Sequence, residues 1–265
     1  MNQRPLIIAN WKMNPTTLKE AEHLFEVVNK GVKPIKNVEV VICPPFVFLS
    51  VFSLRSSVLK LGGQNCYWEQ KGAYTGEVSP LMLKDLGCEY ALVGHSERRQ
   101  YFGETDEIVN KKIKSALKSR LKPILCIGEE IRDTFDSEGR PLNEMSFIVQ
   151  TQLEKALNGV SAAKIRDVVI AYEPIWAISA NDGLFCPPDE ALKAKLFIKK
   201  ILSKLYNRQT AEGVRILYGG SVNFKNAADY IKKAGMNGLL IGGASLNGSE
   251  FVKIAEKVAN AGGSP

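Results

Sequence analysis

The stretch "LIIANWKMN" (residues 6–14) decides between two α/β folds for this chain. Its first four residues are apolar, which is typical of a strand buried on both faces, as in a parallel sheet. An open, doubly wound sheet would place a glycine-rich dinucleotide or phosphate motif directly after such an early strand. Here Asn10, Trp11 and Lys12 follow, without GxGxxG or GxxxxGK[ST]. The stretch therefore favours a closed barrel, provided that further strand–helix units follow.

Seven further apolar runs follow, and helical patterns separate them. The eight runs lie at about residues 6–11, 38–43, 58–64, 89–94, 122–128, 167–172, 214–219 and 238–242. The helical patterns lie at residues 16–31, 44–55, 79–87, 105–119, 143–159, 187–206, 223–235 and 249–262. Eight strand–helix units predict a (β/α)8 TIM barrel, an α/β fold of eight parallel strands surrounded by helices that typically takes about 250 residues. No linker divides the chain, so we expect a single domain over residues 1–265, with a flexible tail at 262–265.

Helix start and stop signals agree with these units. Ser79 and Pro80 form an N-cap followed by proline in the first turn. Gly87 and the Asn158–Gly159 pair follow predicted helix ends.

Composition narrows the class of protein. Hydrophobic residues make up 45% of the chain and charged residues 24%, as in an ordinary globular protein with a sizeable core. The apolar run at 6–9 is too short for a signal-peptide core, and no later run is long enough to span a membrane. The five cysteines are odd in number and form no CxxC pair, and Cys43, Cys88 and Cys126 lie in or beside apolar runs. We expect buried free thiols in a reduced, cytoplasmic protein.

The net charge of +7 comes from lysines dispersed over helical patterns such as "KKIKSALKSRLK" (111–122). Solvated helix faces explain such runs. The chain has no aromatic-rich basic motif and no Cys/His finger, so we expect no nucleic acid and no membrane among its partners. The excess positive charge favours a small anionic substrate only weakly.

Polar and glycine residues follow six of the predicted strands, where a barrel carries its active site. These residues are Asn10 and Lys12, Gln64 and Asn65, His95 and Glu97, Glu173, Gly219, Gly220 and Ser221, and Gly242 and Gly243. A lysine, a histidine and a glutamate on different strands can converge on a small polar substrate, and paired glycines can present backbone N–H groups to a phosphate. Taken singly, each has a structural interpretation: a solvated lysine, a packed histidine, a paired glutamate or a turn. Their joint position at strand ends favours a catalytic site.

Six segments in this order resemble the triosephosphate isomerase family. They are "ANWKMN" (9–14), "GAYTGEVSP" (72–80), "GHSERR" (94–99), "YEPIWAI" (172–178), "YGGSV" (218–222) and "IGGASL" (241–246). The resemblance implies interconversion of dihydroxyacetone phosphate and glyceraldehyde 3-phosphate through an enediolate, with no cofactor and no metal. The low histidine count, two in the chain, also argues against a protein-ligated transition metal.

The resemblance also implies roles for individual residues. Glu173 is the base and His95 the electrophile, while Lys12 balances negative charge, Asn10 completes the oxyanion site and Glu97 lies beside Lys12. The phosphate is expected at the backbone N–H groups of Ser179, Ser221, Gly242 and Gly243. The lid hinge corresponds to Pro174 and Trp176, Ile178 shields the site, and Tyr218 and Ser221 are latch partners.

The lid loop, residues 179–186, departs from the family pattern. Gly-Thr-Gly-Lys is usual after Trp-Ala-Ile, whereas this chain has Ser-Ala-Asn-Asp and a loop about two residues longer, with Asp182 in place of lysine. We expect an active isomerase with altered lid closure. Grafting Gly-Thr-Gly-Lys into positions 179–182 should therefore change turnover or phosphate affinity.

The loop at 64–80 carries an aromatic residue, Tyr74, followed by Thr75. Without the family resemblance, a loop with an apolar tip is either an interaction site or merely a flexible turn. The resemblance implies that it enters a partner subunit near Asn10 and Lys12, giving a homodimer.

Two other functions stay open at this stage. A metal-dependent pentose-phosphate epimerase is a related barrel enzyme, which sensitivity to a chelator would reveal. A barrel that binds a phosphate ligand without turnover is the alternative outside enzymes.

Overall fold

The computed structural model of the protein describes residues 3–53, 58–132, 134–135, 138, 141–142, 144–178 and 185–262. Eight parallel strands close into a barrel in which each strand pairs with its two neighbours along the chain, and the first pairs with the last. The strands are β1 (Leu6–Asn10), β2 (Glu39–Cys43), β3 (Lys60–Gly63), β4 (Cys88–Val93), β5 (Lys122–Ile127), β6 (Val169–Tyr172), β7 (Arg215–Tyr218) and β8 (Gly238–Ile241). The predicted barrel and all eight strands are confirmed.

Ten α-helices lie outside the strands in the described part of the chain. They are α1 (Leu18–Val32), α2 (Phe46–Phe52), α3 (Pro80–Asp85), α4 (Ser96–Phe102), α5 (Asp106–Lys118), α6 (Glu144–Ala156), α7 (Pro188–Leu205), α8 (Arg208–Gly213), α9 (Ala227–Lys232) and α10 (Gly248–Gly262). The predicted cap is confirmed, since the Ser79 hydroxyl accepts a hydrogen bond from the Met82 N–H and Pro80 is the first residue of α3. The flexible tail was expected to begin at residue 262, but Gly262 is the last residue of α10. Residues 263–265 lie outside the described residues.

Both faces of each strand are buried, which explains why the strands are continuous apolar runs. In β1, Leu6 and Ile8 point into the barrel, while Ile7 and Ala9 pack against the helices. Strand side chains alternate between faces, so the barrel interior and the helix layer form two separate clusters. All five cysteines are buried free thiols, two more than the pattern of apolar runs predicted.

Three elements escaped prediction. Helices α4 and α8 are short and polar, with the sequences "SERRQYF" and "RQTAEG". A small hairpin of Thr134–Phe135 and Pro141–Leu142 follows β5. None of them carries a sustained apolar period, which is the signal that reveals longer elements.

No helix in the described residues is long and apolar enough to cross a membrane.

Candidate active site

A cavity of about 280 Å³ opens at the carboxyl ends of the strands. Its lining includes Asn10, Lys12, His95, Glu173, Ile178, Gly219, Gly220, Ser221, Gly242 and Gly243. A neighbouring cavity of about 220 Å³ shares Asn10, Lys12 and His95 and adds Glu97. The structure therefore brings together the strand-end residues that the sequence singled out on β1, β4, β6, β7 and β8.

Lys12 is held in one position by three neighbours. Its backbone has φ of 54°, a left-handed conformation that is costly for a non-glycine residue. The Asn10 Oδ1 atom accepts a hydrogen bond from the Lys12 N–H at 3.1 Å, and Gln64 Nε2 donates to the Lys12 carbonyl at 2.7 Å. The Lys12 ammonium donates to Glu97 Oε1 at 2.5 Å. Glu97 thus lies beside Lys12, and the ammonium faces the cavity in a defined position.

His95 is the N-cap residue of α4, where its ring accepts a backbone hydrogen bond. The Glu97 N–H donates to His95 Nδ1 at 3.3 Å. With Nδ1 as the acceptor of this bond, Nε2 is the ring nitrogen left to act as a donor. Nε2 points towards Glu173, with 3.4 Å between it and Oε1. The ring can therefore donate a hydrogen bond to a group bound in the cavity.

Glu173 is a buried carboxylate whose hydrogen bonds are long. It is 2% exposed, the Ser96 N–H and His95 Nε2 each lie 3.4 Å from its oxygens, and the Cys126 thiol forms a further side-chain hydrogen bond with it. Good hydrogen bonds to oxygen are typically about 2.7 to 3.2 Å long. The Glu173 backbone, by contrast, is well held, since its N–H donates to the Ile127 carbonyl at 2.8 Å. The carboxylate is thus placed by the barrel but only weakly bound.

Two glycines leave room for Glu173. A Cβ atom on Gly128 would lie 1.9 Å from the Glu173 carbonyl oxygen, and one on Gly219 would lie 2.8 Å from the Glu173 Cγ atom. Any side chain at either position would displace the glutamate.

The phosphate-binding residues expected after β7 and β8 differ in how open they are. A Cβ atom on Gly243 would meet nothing within 4 Å, and one on Gly242 would lie 3.2 Å from Lys12 Cε. These two residues therefore border open space beside the ammonium. The Ser221 N–H and hydroxyl instead both donate to the Ala177 carbonyl, at 3.0 and 2.8 Å. Ser179 lies outside the described residues.

Comparison with known proteins agrees with this geometry. The family model described as triosephosphate isomerase matches residues 5–258. The chain belongs to the triosephosphate isomerase family.

Relatives in this family cover nearly the whole chain. The chain is 43% identical over 256 residues to the triosephosphate isomerase of Endomicrobium trichonymphae, covering 96% of this chain and 98% of that one. It is 46% identical over 254 residues to the triosephosphate isomerase of Alkaliphilus oremlandii, covering 95% of this chain and 98% of that one. It is 41% identical over 256 residues to the triosephosphate isomerase of Dictyoglomus thermophilum, covering 96% of this chain and 99% of that one.

The hinge that the family resemblance assigned to Pro174 and Trp176 forms one short 3-10 turn at Ile175–Ala177. Pro174 is buried, and its carbonyl accepts the Ala177 N–H at 2.8 Å. The Trp176 indole N–H donates to Glu129 Oε1 at 2.8 Å. This hinge is therefore anchored to the loop after β5.

Glu129 is a buried residue of the site region that the sequence reasoning missed. It is 2% exposed and also accepts a hydrogen bond from the Tyr172 hydroxyl at 2.8 Å. It follows β5, so a survey of every strand end would have included it.

Tyr218, the expected latch residue, is fully buried. Its ring stacks on that of Tyr230 with centroids 3.9 Å apart, and burial raises the pKa of its hydroxyl well above the usual value. Any latch bond that it makes therefore reaches out from the layer between the strands and the helices.

The expected dimer loop is on the surface. Tyr74 is 43% exposed and packs against Tyr67 with the two rings tilted by 44°, and Thr75 is exposed. The exposed side chains of Met13 and Phe102 line the 220 Å³ cavity that adjoins the site.

No cluster of three or more His, Cys, Asp or Glu side chains suited to a metal ion occurs in the residues that the structure describes.

Proposed function

We propose that the chain interconverts dihydroxyacetone phosphate and D-glyceraldehyde 3-phosphate through an enediolate, with Glu173 as base and His95 as electrophile. The observation that carries this proposal is the pairing, at one cavity, of a buried carboxylate with long hydrogen bonds and an imidazole whose Nε2 faces it. Membership of the triosephosphate isomerase family supports the same reaction.

The first step is removal of a proton from the carbon next to the substrate carbonyl. Such a proton is weakly acidic, so the base must be desolvated and the developing oxyanion stabilised. Glu173 is buried, and its long hydrogen bonds cost little to exchange for contact with substrate. As the C–H electrons form the enediolate, the carbonyl oxygen gains negative charge. His95 Nε2–H and the Lys12 ammonium face that charge, and the Asn10 amide completes the oxyanion site.

The second step returns the proton to the neighbouring carbon. His95 moves a proton between the two substrate oxygens, and protonated Glu173 delivers its proton to the other carbon. The proton removed from one carbon is balanced by the proton delivered to the other, so the reaction is redox-neutral overall and needs no external oxidant or reductant.

The substrate phosphate binds the backbone N–H groups of Gly242 and Gly243 beside Lys12. It gains a further donor when the Ser221 N–H leaves the Ala177 carbonyl, and Ser179 supplies another from the lid loop. Ile178 shields the reacting carbons, with the hinge at Pro174 and Trp176 and the latch at Tyr218. Excluding water in this way protects the enediolate from losing its phosphate.

The protein acts as a homodimer, a single barrel domain per chain, in the glycolysis and gluconeogenesis of the cytoplasm. The exposed Tyr74 and Thr75 and the apolar rim at Met13 and Phe102 support a subunit contact beside the site. Replacing Tyr74 and Thr75 with aspartate should yield monomers with little activity, measured by light scattering and turnover. A dimer that survives both changes would show that this loop does not form the contact.

The decisive experiment follows isomerisation of glyceraldehyde 3-phosphate in the presence of a chelator, with wild type and Glu173→Gln. Metal-independent turnover that collapses in the variant supports the proposal. Turnover lost on adding the chelator would point to a metal-dependent enzyme. A wild type that binds inorganic phosphate without turnover would identify a binding protein instead.

A further inference from the structure

Arg132 lies in the loop after β5 and contacts residues on both sides of the segment 179–184. Its guanidinium lies over the Trp176 ring, with 5.1 Å between the Cζ atom and the ring centroid. The same group forms an ion pair with Glu190, in the first turn of α7. One side chain thus joins the hinge before this segment to the helix after it.

The Trp176 ring is held from two directions. The buried carboxylate of Glu129 accepts its indole N–H at 2.8 Å, and the Arg132 guanidinium covers its face. An arginine that stacks on tryptophan gains a cation–π attraction in addition to packing. The Glu190 carboxylate holds the guanidinium and so limits its rotation. The position of the hinge turn therefore depends on Arg132 as well as on Glu129.

The hinge turn is connected to the phosphate-binding residues by hydrogen bonds. Trp176 and Ala177 belong to the same 3-10 turn, and the Ala177 carbonyl accepts both the N–H and the hydroxyl of Ser221. While these bonds last, the Ser221 N–H is directed at the hinge and cannot serve a phosphate. Any group that stabilises the turn in this position competes with phosphate binding.

We propose that Arg132, which is not among the residues that line the two cavities described above, is a positioning residue that stabilises the phosphate-free arrangement of the hinge and thereby weakens phosphate binding. The inference rests on the proposed function, since it concerns the same site. The Arg132–Trp176 contact and the Arg132–Glu190 ion pair favour the arrangement in which Ala177 retains Ser221. A ligand phosphate must overcome this preference before Ser221 becomes available.

The test compares Arg132→Ala with wild type. Loss of one partly exposed cation–π contact and its ion pair corresponds to a shift of about two- to fivefold in the hinge equilibrium. We expect the inhibition constant of inorganic phosphate, measured in competition with glyceraldehyde 3-phosphate, to fall by about that factor. KM should fall with it, kcat should change less, and the melting temperature should stay within error.

Three further variants separate the contacts. Arg132→Lys keeps the charge near Glu190 but loses the planar stacking, and Glu190→Gln keeps the guanidinium but removes the ion pair. Both should give inhibition constants between those of wild type and Arg132→Ala. Arg166→Ala removes an exposed arginine before β6, at the opposite end of the barrel, and should match wild type.

An inhibition constant that is unchanged or higher in Arg132→Ala, in a wild type that isomerises normally, would overturn the inference. Direct calorimetric titration with inorganic phosphate makes the same comparison without requiring turnover. A wild type without isomerase activity would therefore count against the proposed function alone, while the titration would still decide the role of Arg132.

Discussion

The two ends of the barrel each bury a carboxylate, and the two are held in opposite ways. At the amino end, Glu39 begins β2 and is 8% exposed. It accepts a hydrogen bond from the Tyr90 hydroxyl at 2.6 Å and one from Arg215 at 2.8 Å, and it pairs with Lys60 at 3.0 Å. At the carboxyl end, Glu173 is 2% exposed, and the Ser96 N–H and His95 Nε2 lie 3.4 Å from its oxygens.

This difference separates a structural carboxylate from one that can react. Burial by itself would raise the pKa of Glu39, but hydrogen bonds from Tyr90, Arg215 and Lys60 outweigh it and lower that pKa to about 2. A carboxylate with three short, charge-assisted contacts is a poor base and cannot leave its place without a large cost. Glu173 is also buried but has no charged donor as close as those of Glu39: His95 Nε2 lies 3.4 Å away, and its other contacts are the Ser96 N–H and a thiol, so it can turn to a substrate.

The largest expected effect comes from replacing Glu173 or Glu39 with glutamine, which removes the negative charge but keeps the shape of the side chain. Glu173→Gln should lower kcat/KM by about 10³- to 10⁴-fold, near the upper end of what a general base contributes. Glu39→Gln should keep activity close to wild type, because Glu39 lies at the other end of the barrel. Steady-state kinetics at a temperature where both variants stay folded checks the pair. Similar losses of kcat/KM in both variants would show that the two carboxylates do not differ in their role in catalysis.

Truncation to alanine should lower stability more at Glu39 than at Glu173, the reverse of the order expected for activity. Glu39→Ala leaves Arg215 and Tyr90 without their buried partner and should lower the free energy of unfolding by about 3 to 5 kcal/mol. Glu173→Ala should lower it by less, since no short contact is lost. Urea unfolding followed by circular dichroism measures both. If Glu173→Ala proved the more destabilising, its carboxylate would be a structural group as well.

The pH dependence of stability should also distinguish Glu39. Its folded pKa of about 2 lies below the ordinary value of 4.5, so its contribution is complete above pH 4.5. That contribution is lost as pH falls from about 4.5 to about 2, and it amounts to at most about 3 kcal/mol. The free energy of unfolding of wild type should therefore fall more steeply in this window than that of Glu39→Gln. Parallel curves would contradict the lowered pKa.

The smallest effect is expected from removing one donor to Glu39. Tyr90→Phe deletes a hydrogen bond but leaves Arg215 and Lys60 in place, and it should cost about 1 kcal/mol of stability with unchanged kinetics. The matched difference between Glu39→Gln and Glu39→Gln/Tyr90→Phe shows how much of the loss belongs to this bond. A cost that is the same in both backgrounds would mean that the Tyr90 bond does not depend on the negative charge of Glu39, because the amide oxygen of glutamine can still accept it.

Sequence patterns predicted the barrel because its strands and long helices are repetitive. Each strand is buried on both faces, and each long helix shows an apolar period, so the signal recurs eight times along the chain. The short helix α4 had no such signal, although it positions both His95 and Glu97. Its N-cap is a histidine, which is not among the residues that usually mark a helix start.

The site was predictable to the level of residues but not of their contacts. Lys12, His95 and Glu173 were found because each follows a strand, where barrels place their active sites. Glu129 and Glu39 were missed, and their roles depend on partners 21 to 176 positions away along the chain. The Ser221 N–H donates to the Ala177 carbonyl in this structure, a contact that the sequence did not indicate, and its bond to a phosphate stays a prediction.

By itself, the sequence determined which residues lie at the strand ends, because strand order and side-chain alternation follow from local apolar patterns. It thereby determined the fold and the residue types available for chemistry. Only the tertiary structure decided how tightly each buried carboxylate is held, since the donors come from distant strands whose approach depends on barrel closure. Glu39 and Glu173 are the same residue type in similar burial, and the distances to their donors make one a structural anchor and leave the other able to act as a base.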